Sequence, residues 1–233
     1  MSRVGVFLQV RLDSQRLPEK ALLPLAGRPV ITHAMESLRR LEVDVHALLT
    51  DLASSDALAP LAKEWGFQLF VGPKEDVLER FAHAAEYFRL EHIIRATGDN
   101  PLVDGECARL IMEEHLEQGA DYSAFHGLPL GAGVECVGRT ALEVARKETA
   151  GEGKKNLYYR EHVCPYLYDN PDRFRIHRPP APSACQAPEL RLTLDTADDY
   201  QHLKRIFREL YVGNPLSTRR IVSAMQQQIP STG

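Results

Sequence analysis

The sequence predicts an α/β protein built on a mainly parallel sheet, and three observations carry that prediction. Short apolar runs alternate with segments of helical periodicity, polar residues gather where the runs end, and turn signals separate the elements. The run Val4-Gly5-Val6-Phe7-Leu8 has the length and β-branched and aromatic character of a buried strand. Pro18 restricts Leu17 to extended geometry, and Pro29 after Gly27-Arg28 marks the start of the next helix. Residues Gln9 to Arg28 therefore form a long ordered loop at the strand's carboxyl end.

The pattern then repeats. Val30 to Leu41 has helical spacing, Val43 to Thr50 reads as a strand, Ser55 to Trp65 as a helix and Phe67 to Val71 as a strand. Asp76 to Leu90 is a second amphipathic helix, and Glu91 to Thr97 a further buried strand. Asp104 to Gln118 is a helix stopped by Gly119, with a strand over Asp121 to Phe125 beyond it. From about Gly127 glycines and prolines break the regularity around a short strand, Val134 to Val137, and a helix over Thr140 to Lys147. Ala150 to Lys155 reads as mobile, and Pro179 to Pro188 as an irregular loop. Arg191 to Leu194 returns as a strand, followed by helices at Ala197 to Leu210 and Ser217 to Gln228. The whole is expected to be one domain over 1–233: a nucleotide-binding half (1–126), a divergent region for acceptor or dimer contacts (127–190), and a returning strand with terminal helices (191–233).

A net charge of −4 argues against a nucleic-acid partner. No segment approaches the roughly 20 apolar residues that span a bilayer, and no signal-peptide pattern precedes the first strand, so a cytoplasmic location is expected. Cys107, Cys136, Cys164 and Cys185 lack CxxC spacing and read as reduced structural thiols. GxSxG, P-loop and GxGxxG signatures are missing, which removes the main support for serine hydrolase, Walker ATPase and dinucleotide oxidoreductase readings.

In open α/β sheets, ligands sit in the crevice beyond the carboxyl ends of the strands. There the first loop carries Arg11, Arg16 and Lys20, three cations able to converge on a polyphosphate; a solvated turn is the alternative. Thr50-Asp51, Gly72-Pro73 and Thr97-Gly98-Asp99-Asn100 lie at other strand ends. Asp99 and Asp195 can both reach one Mg²⁺, an ion that takes one or two carboxylates and completes its shell with water and phosphate. Asp195 can equally cap the following helix, and Asp99-Asn100-Pro101 can simply form a turn. In the divergent half, Glu135, Arg160, Glu161 and His162 form a second polar set; Arg160 has the planar fork that clamps a carboxylate, and His162 can be a base or merely a solvated helix residue.

The stretch Gln9 to Lys20 with Leu25-Ala26-Gly27-Arg28-Pro29 resembles the nucleotide-binding loop of the acylneuraminate and ketodeoxyoctonate cytidylyltransferases. The match is closer to their relatives, the family of spore-coat polysaccharide biosynthesis protein F. Asp76 to Phe81, Gly98 to Leu102, Arg160 to Val163, and Leu194-Asp195-Thr196 with Asp199 extend the resemblance in order along most of the chain. It implies a Rossmann-like, three-layer nucleotide-diphospho-sugar transferase fold, CTP as donor, Mg²⁺ as cofactor, a small acidic or modified sugar as acceptor, and a homodimer. By the same resemblance Gln9, Val10, Arg11, Leu12, Arg16, Lys20, Thr50, Asp51, Gly72, Arg80, Thr97 and Gly98 would bind nucleotide, and Arg11 and Lys20 would act on the leaving pyrophosphate. Asp99 and Asp195 would hold metal, and Glu135, Arg160, Glu161 and His162 the sugar. One departure is evident: an aspartate is expected before Val134-Glu135, and this chain has Gly133. Another nucleotide donor, a glycosyltransferase on the same fold, and a non-catalytic nucleotide-binding homologue remain alternatives.

Overall fold

The computed structural model describes residues 2–151 and 153–227. In chain order the elements are β1 (Val4–Gln9), β2 (Pro24–Leu25), β3 (Arg28–Pro29), α1 (Val30–Leu38), β4 (Val45–Thr50), α2 (Leu52–Glu64), β5 (Gln68–Val71), α3 (Val77–Tyr87) and β6 (His92–Thr97). There follow α4 (Gly105–Glu117), β7 (Tyr122–Ser123), β8 (Glu135–Gly138), α5 (Arg139–Glu148), α6 (Lys154–His162), α7 (Pro165–Tyr168), β9 (Ile176–His177), α8 (Ala197–Leu210) and α9 (Thr218–Gln227).

The main sheet has the order β5-β4-β1-β6-β8-β7-β9. Its first four strands are parallel, β8 runs antiparallel to both β6 and β7, and β9 is parallel to β7. Side chains alternate across β1, so its two faces build two cores. Phe7 packs edge-on to Phe81, 5.6 Å between centroids, in a core shared with Leu78 of α3, Leu142 of α5 and Leu167 of α7. Val6 and Leu8 face the other way, onto Ile31 and Met35 of α1, Leu58 of α2 and Ile111 of α4. The result is a three-layer helix-sheet-helix stack. A third cluster seats α8 and α9 through Leu203, Phe207 and Ile221 on Leu192 and Leu194.

The chain moves outward from β1 through β4 to β5 and then returns to β6 on the other flank. This reversal of strand order opens a crevice at the carboxyl ends of β1 and β6, where doubly wound sheets bind ligands.

Several elements differ from the sequence expectation. Helix α2 starts three residues earlier because Asp51 caps it, accepting from the Ser54 amide at 2.9 Å. The first loop is more structured than a plain excursion: it holds a 3₁₀ turn at Lys20–Leu22 and the β2–β3 hairpin. That hairpin closes through Ala26 and Gly27, both at positive φ (48° and 86°), the geometry a two-residue turn demands. Arg191 to Leu194 is not a sheet strand. Arg191 makes an isolated bridge to Leu130, Leu192 donates to the Leu130 carbonyl and Leu194 to that of Asp99, so the segment ties two loops together instead of extending the sheet. Lys154 and Lys155, read as part of a mobile stretch, open α6; Glu152 of that stretch and Gln228 of the last predicted helix lie outside the described residues. The short elements α7 and β9 were not foreseen, since four- and two-residue pieces carry no periodicity. All four cysteines are free and buried.

Candidate functional site

Lys20 is the centre of the crevice. Its 3₁₀ turn carries it inward, leaving 13% of the side chain exposed, and its ammonium lies 2.6 Å from Asp99 and 2.9 Å from Asp195. Asp99 follows β6, and Asp195 is delivered from a point 96 residues further along because the Leu194 amide donates to the Asp99 carbonyl at 3.1 Å. The helix cap that could have claimed Asp195 falls instead to Thr196, in a capping box with Asp199. Burial alone would lower the Lys20 pKa, but Asp99 and Asp195 outweigh it and hold the ammonium above the usual lysine range. Burial likewise works against the Asp195 carboxylate, yet Lys20, then Arg16 and Arg191, keep it below the usual aspartate value.

Arg11, Arg16 and Lys20 do line one cavity of about 700 Å³ that opens over the ends of β1 and β6. Gln9, Val10, Thr97, Gly98 and Asp99 form its floor, with Glu161 and His162 of α6 on the wall. Arg16 is the most open of the three cations, 3.5 Å from Asp195. Arg11 lies 3.5 Å from both Asp13 and Glu161 and 4.0 Å from Glu75. A fourth cation, Lys74, reaches Asp13 at 2.6 Å. With Arg191, which pairs Asp195 and Asp199, five cations thus face six carboxylates (Asp13, Glu75, Asp99, Glu161, Asp195, Asp199), and an entering polyphosphate must displace carboxylates from the cations or bring counter-charge with it.

The remaining sequence candidates sit around this cavity in supporting positions. Leu12 donates its amide to the Ser54 hydroxyl at 3.1 Å, and that hydroxyl donates to Asp51 at 3.2 Å, so buried Asp51 anchors the loop through Ser54. Buried Thr50 leaves its hydroxyl without a partner. The Arg80 guanidinium is sealed in the interior and donates to the Pro73 and Lys74 carbonyls, which shapes the loop bearing Lys74 and Glu75. Gly72 makes room for it, since a Cβ there would come within 2.6 Å of Arg80 Cγ. At Gly98 a Cβ would meet Val10 Cβ and Ile31 Cδ1 at 3.0 Å, so glycine allows the floor to close against β1.

Arg160 takes its carboxylates from the protein itself. Its fork binds Asp76 and Glu79 at the start of α3 and donates to the Arg146 carbonyl, so in this structure these donors pack α6 against α3. Glu135 is partnered as well, by Arg95 and by the Tyr122 hydroxyl at 2.8 Å.

Sequence reasoning missed Lys74, Glu75, Arg95 and Thr193, all of which line the crevice. Arg95 had a legible signal, a charged residue inside an otherwise apolar strand; Lys74 had a weaker one, a cation two residues beyond Gly72 at a strand end.

Comparison with known proteins agrees with this geometry. Residues 6–222 match the family model described as cytidylyltransferase. Spore coat polysaccharide biosynthesis protein SpsF of Bacillus subtilis is 30% identical, across 97% of this chain and 95% of that protein. The 3-deoxy-manno-octulosonate cytidylyltransferase of Anaeromyxobacter dehalogenans is 34% identical over 137 residues, 57% of this chain and 54% of that protein. A solved cytidylyltransferase structure from Leptospira borgpetersenii superposes with a TM-score of 0.88 at 26% identity, covering 97% of this chain and 95% of that one. With a switch-point crevice and a lysine-centred, polyphosphate-sized cavity beside those matches, the chain belongs to the cytidylyltransferase family of nucleotidyltransferases.

Proposed function

We propose that this protein is a sugar cytidylyltransferase that transfers CMP from CTP to a sugar hydroxyl, releasing pyrophosphate, as a cytoplasmic step in cell-surface polysaccharide synthesis. The observation that carries this reading is Lys20, set between Asp99 and Asp195 at the floor of a cavity that also gathers Arg11, Arg16 and Lys74.

Mg²⁺ fits the residues present. Two carboxylates approach one cationic nitrogen at 2.6 and 2.9 Å, close enough to share a single ion, and the local carboxylate excess leaves a triphosphate short of positive charge. Asp99 and Asp195 would hold it, and when bound it would supply charge neutralisation and polarisation of the α-phosphate.

The chain's own residues do the rest. Arg11, Arg16, Lys20 and Lys74 trade their carboxylate partners for phosphate oxygens and fix the triphosphate along the loop. A sugar oxygen forms a bond to the α-phosphorus while the bridge to the β-phosphorus breaks; the hydroxyl proton leaves to solvent and the electron pair departs on pyrophosphate. Lys20 and Arg11 stabilise the charge that grows on that leaving group. Glu161 and His162, exposed on α6 beside the phosphates, border the route by which the sugar enters.

The test is pyrophosphate release with Mg²⁺, each of the four ribonucleoside triphosphates being offered against a panel of sugars. Release with CTP and one sugar is the expected result. Release with another triphosphate only, or consumption of a nucleotide sugar without pyrophosphate, would reject it.

A further inference from the structure

A cavity of about 490 Å³ is lined by helix α8 and the turn of the β2–β3 hairpin, and it shares no lining residue with the crevice. Gln201, Lys204, Arg205 and Arg208 contribute one stripe of α8, at spacings of three and four residues that bring side chains to the same helix face. Leu25, Ala26, Phe207 and Tyr211 supply the rest. No carboxylate is among these residues, so the wall carries three positive charges in a chain whose net charge is −4. We propose that this cavity is a second anion site, taking a diphosphate group either free or at the end of a larger phosphate ester.

The charges around the cavity leave the three cations to an outside partner. Asp199, on the first turn of α8, is held by Arg191 and the capping box, and Glu209 is not part of the lining. Lys204 lies 5.2 Å over the Tyr200 ring, a contact that leaves its charge uncompensated. Arg28, 5.7 Å from the Tyr211 ring, adds nothing to the balance because Glu36 pairs it. Lys204 and Arg208 stand one helical turn apart and repel each other, a local cost that an anion between them would relieve. One phosphate carries about −1.5 to −2 charge at neutral pH, short of three cations; two linked phosphates come closer, and the arginine forks suit their oxygens. A recess of this size admits a small molecule. Its walls are also fixed in advance. The Tyr200 hydroxyl donates to the Pro24 carbonyl, His33 Nε2 lies 2.8 Å from the Leu25 carbonyl oxygen, and the His33 ring packs on Phe207 and Tyr211 at 4.5 and 5.4 Å. Hairpin and helix are thereby held together, and an entering anion has only the cationic side chains to order.

The experiment titrates the full chain with inorganic pyrophosphate and follows amide shifts by NMR, with Ala26 and the Gln201 side chain reporting on this cavity and Gly98 on the crevice. In the wild type Ala26 and Gln201 should shift along a saturating curve. In the triple variant Lys204→Gln, Arg205→Gln, Arg208→Gln the apparent affinity at these two reporters should fall about ten-fold or more, while that at Gly98 stays within about two-fold. The three side chains are exposed, and the single variants Arg205→Gln and Arg208→Gln carry the same test should the triple variant not fold; Lys204→Arg, which keeps the charge, should bind as the wild type does. Cytidine diphosphate and inorganic phosphate separate the sources: a tighter response to the nucleotide assigns the site to a phosphate ester, and a tighter response to pyrophosphate to the free ion. Inorganic phosphate or sulfate binding as tightly as either diphosphate would overturn the assignment. Ala26 and Gln201 that do not respond, or that respond equally in the triple variant, would reduce the stripe to a solvated basic face and overturn the proposal.

Discussion

Lys20 lies between Asp99 and Asp195, two carboxylates proposed above to hold Mg²⁺, and this single residue sets the electrostatics of the site. Replacing it with alanine removes a preorganised donor from the leaving group, and turnover should fall at least ~100-fold. Wild-type-like turnover in that variant would sink the mechanism. The same change strips Asp99 and Asp195 of their internal counter-ion, so Mn²⁺ measured by electron paramagnetic resonance without nucleotide should bind more tightly to Lys20→Ala than to wild type. Unchanged affinity would mean that Lys20 and a metal ion do not compete. Because the Lys20 pKa is raised, its contribution to stability is full below the ordinary lysine value of 10.5 and is lost as pH rises through its native pKa. The lowered Asp195 pKa makes the opposite contribution, present above 3.8 and lost as pH falls through its native value.

Helix α6 illustrates how an element is held for function. Few of its residues are buried; its hold on the body is Tyr159, whose hydroxyl donates to Asp169, and the Arg160 fork on Asp76 and Glu79. Asp76 in turn caps α3 by accepting from the Glu79 amide, so one pair of carboxylates serves both helices. Arg160→Ala leaves those part-buried acids unpaired and should destabilise the protein by about 1–3 kcal/mol. Hydrogen exchange in residues 154–162 should quicken before the sheet is affected. If α6 keeps its protection while activity disappears, Arg160 acts on a ligand after all. At the crevice floor, Gly98→Ala forces a methyl group against Val10 and Ile31 at 3.0 Å; a cost of about 1–3 kcal/mol and a weaker grip on CTP are expected in denaturant and binding titrations.

Across the whole molecule, stability should fall in mild acid because of histidines placed where they cannot ionise. His115 is fully buried between His92 and Ser123, at 3.0 and 2.9 Å, and burial, then His92 and His177, push its pKa down to about 4. His33 lies edge-on to Phe207 and Tyr211, and burial, then Arg28, bring it also to about 4. As pH drops below 6.5 the unfolded chain takes up protons at these sites and the native one does not until about 4. Stability is therefore fully present above pH 6.5 and declines between 6.5 and 4, by up to roughly 3 kcal/mol per histidine. Urea midpoints at pH 7.0 and 4.5 check this, and His115→Asn should flatten part of the slope. A midpoint independent of pH would contradict the burial of both rings. Among the described residues no helix is long and apolar enough to cross a membrane.

The alternation of apolar runs and helical segments determined the parallel half of the sheet by itself, because a strand buried on both faces must be continuously apolar and its crossover helices must be amphipathic. The first loop was equally legible: Arg11, Arg16 and Lys20 follow a strand end directly, so short-range chain geometry alone puts them over the crevice. Asp51 and Ser54 could be read as polar residues near a strand end, yet their use as a loop anchor depends on how β4 lies beside β1. The same limit applies to Asp195, whose place beside Asp99 is set by one backbone bond from Leu194 between segments far apart in sequence. Arg160 shows another limit, since a guanidinium advertises a carboxylate partner without saying whether that partner belongs to the ligand or the protein, and here Asp76 and Glu79 of the protein meet it. Local periodicity and turn chemistry act over a few residues and survive in a one-dimensional reading. Pairing of charges across segments depends on burial and on which side chains compete for the same partner, and only the folded chain decides that.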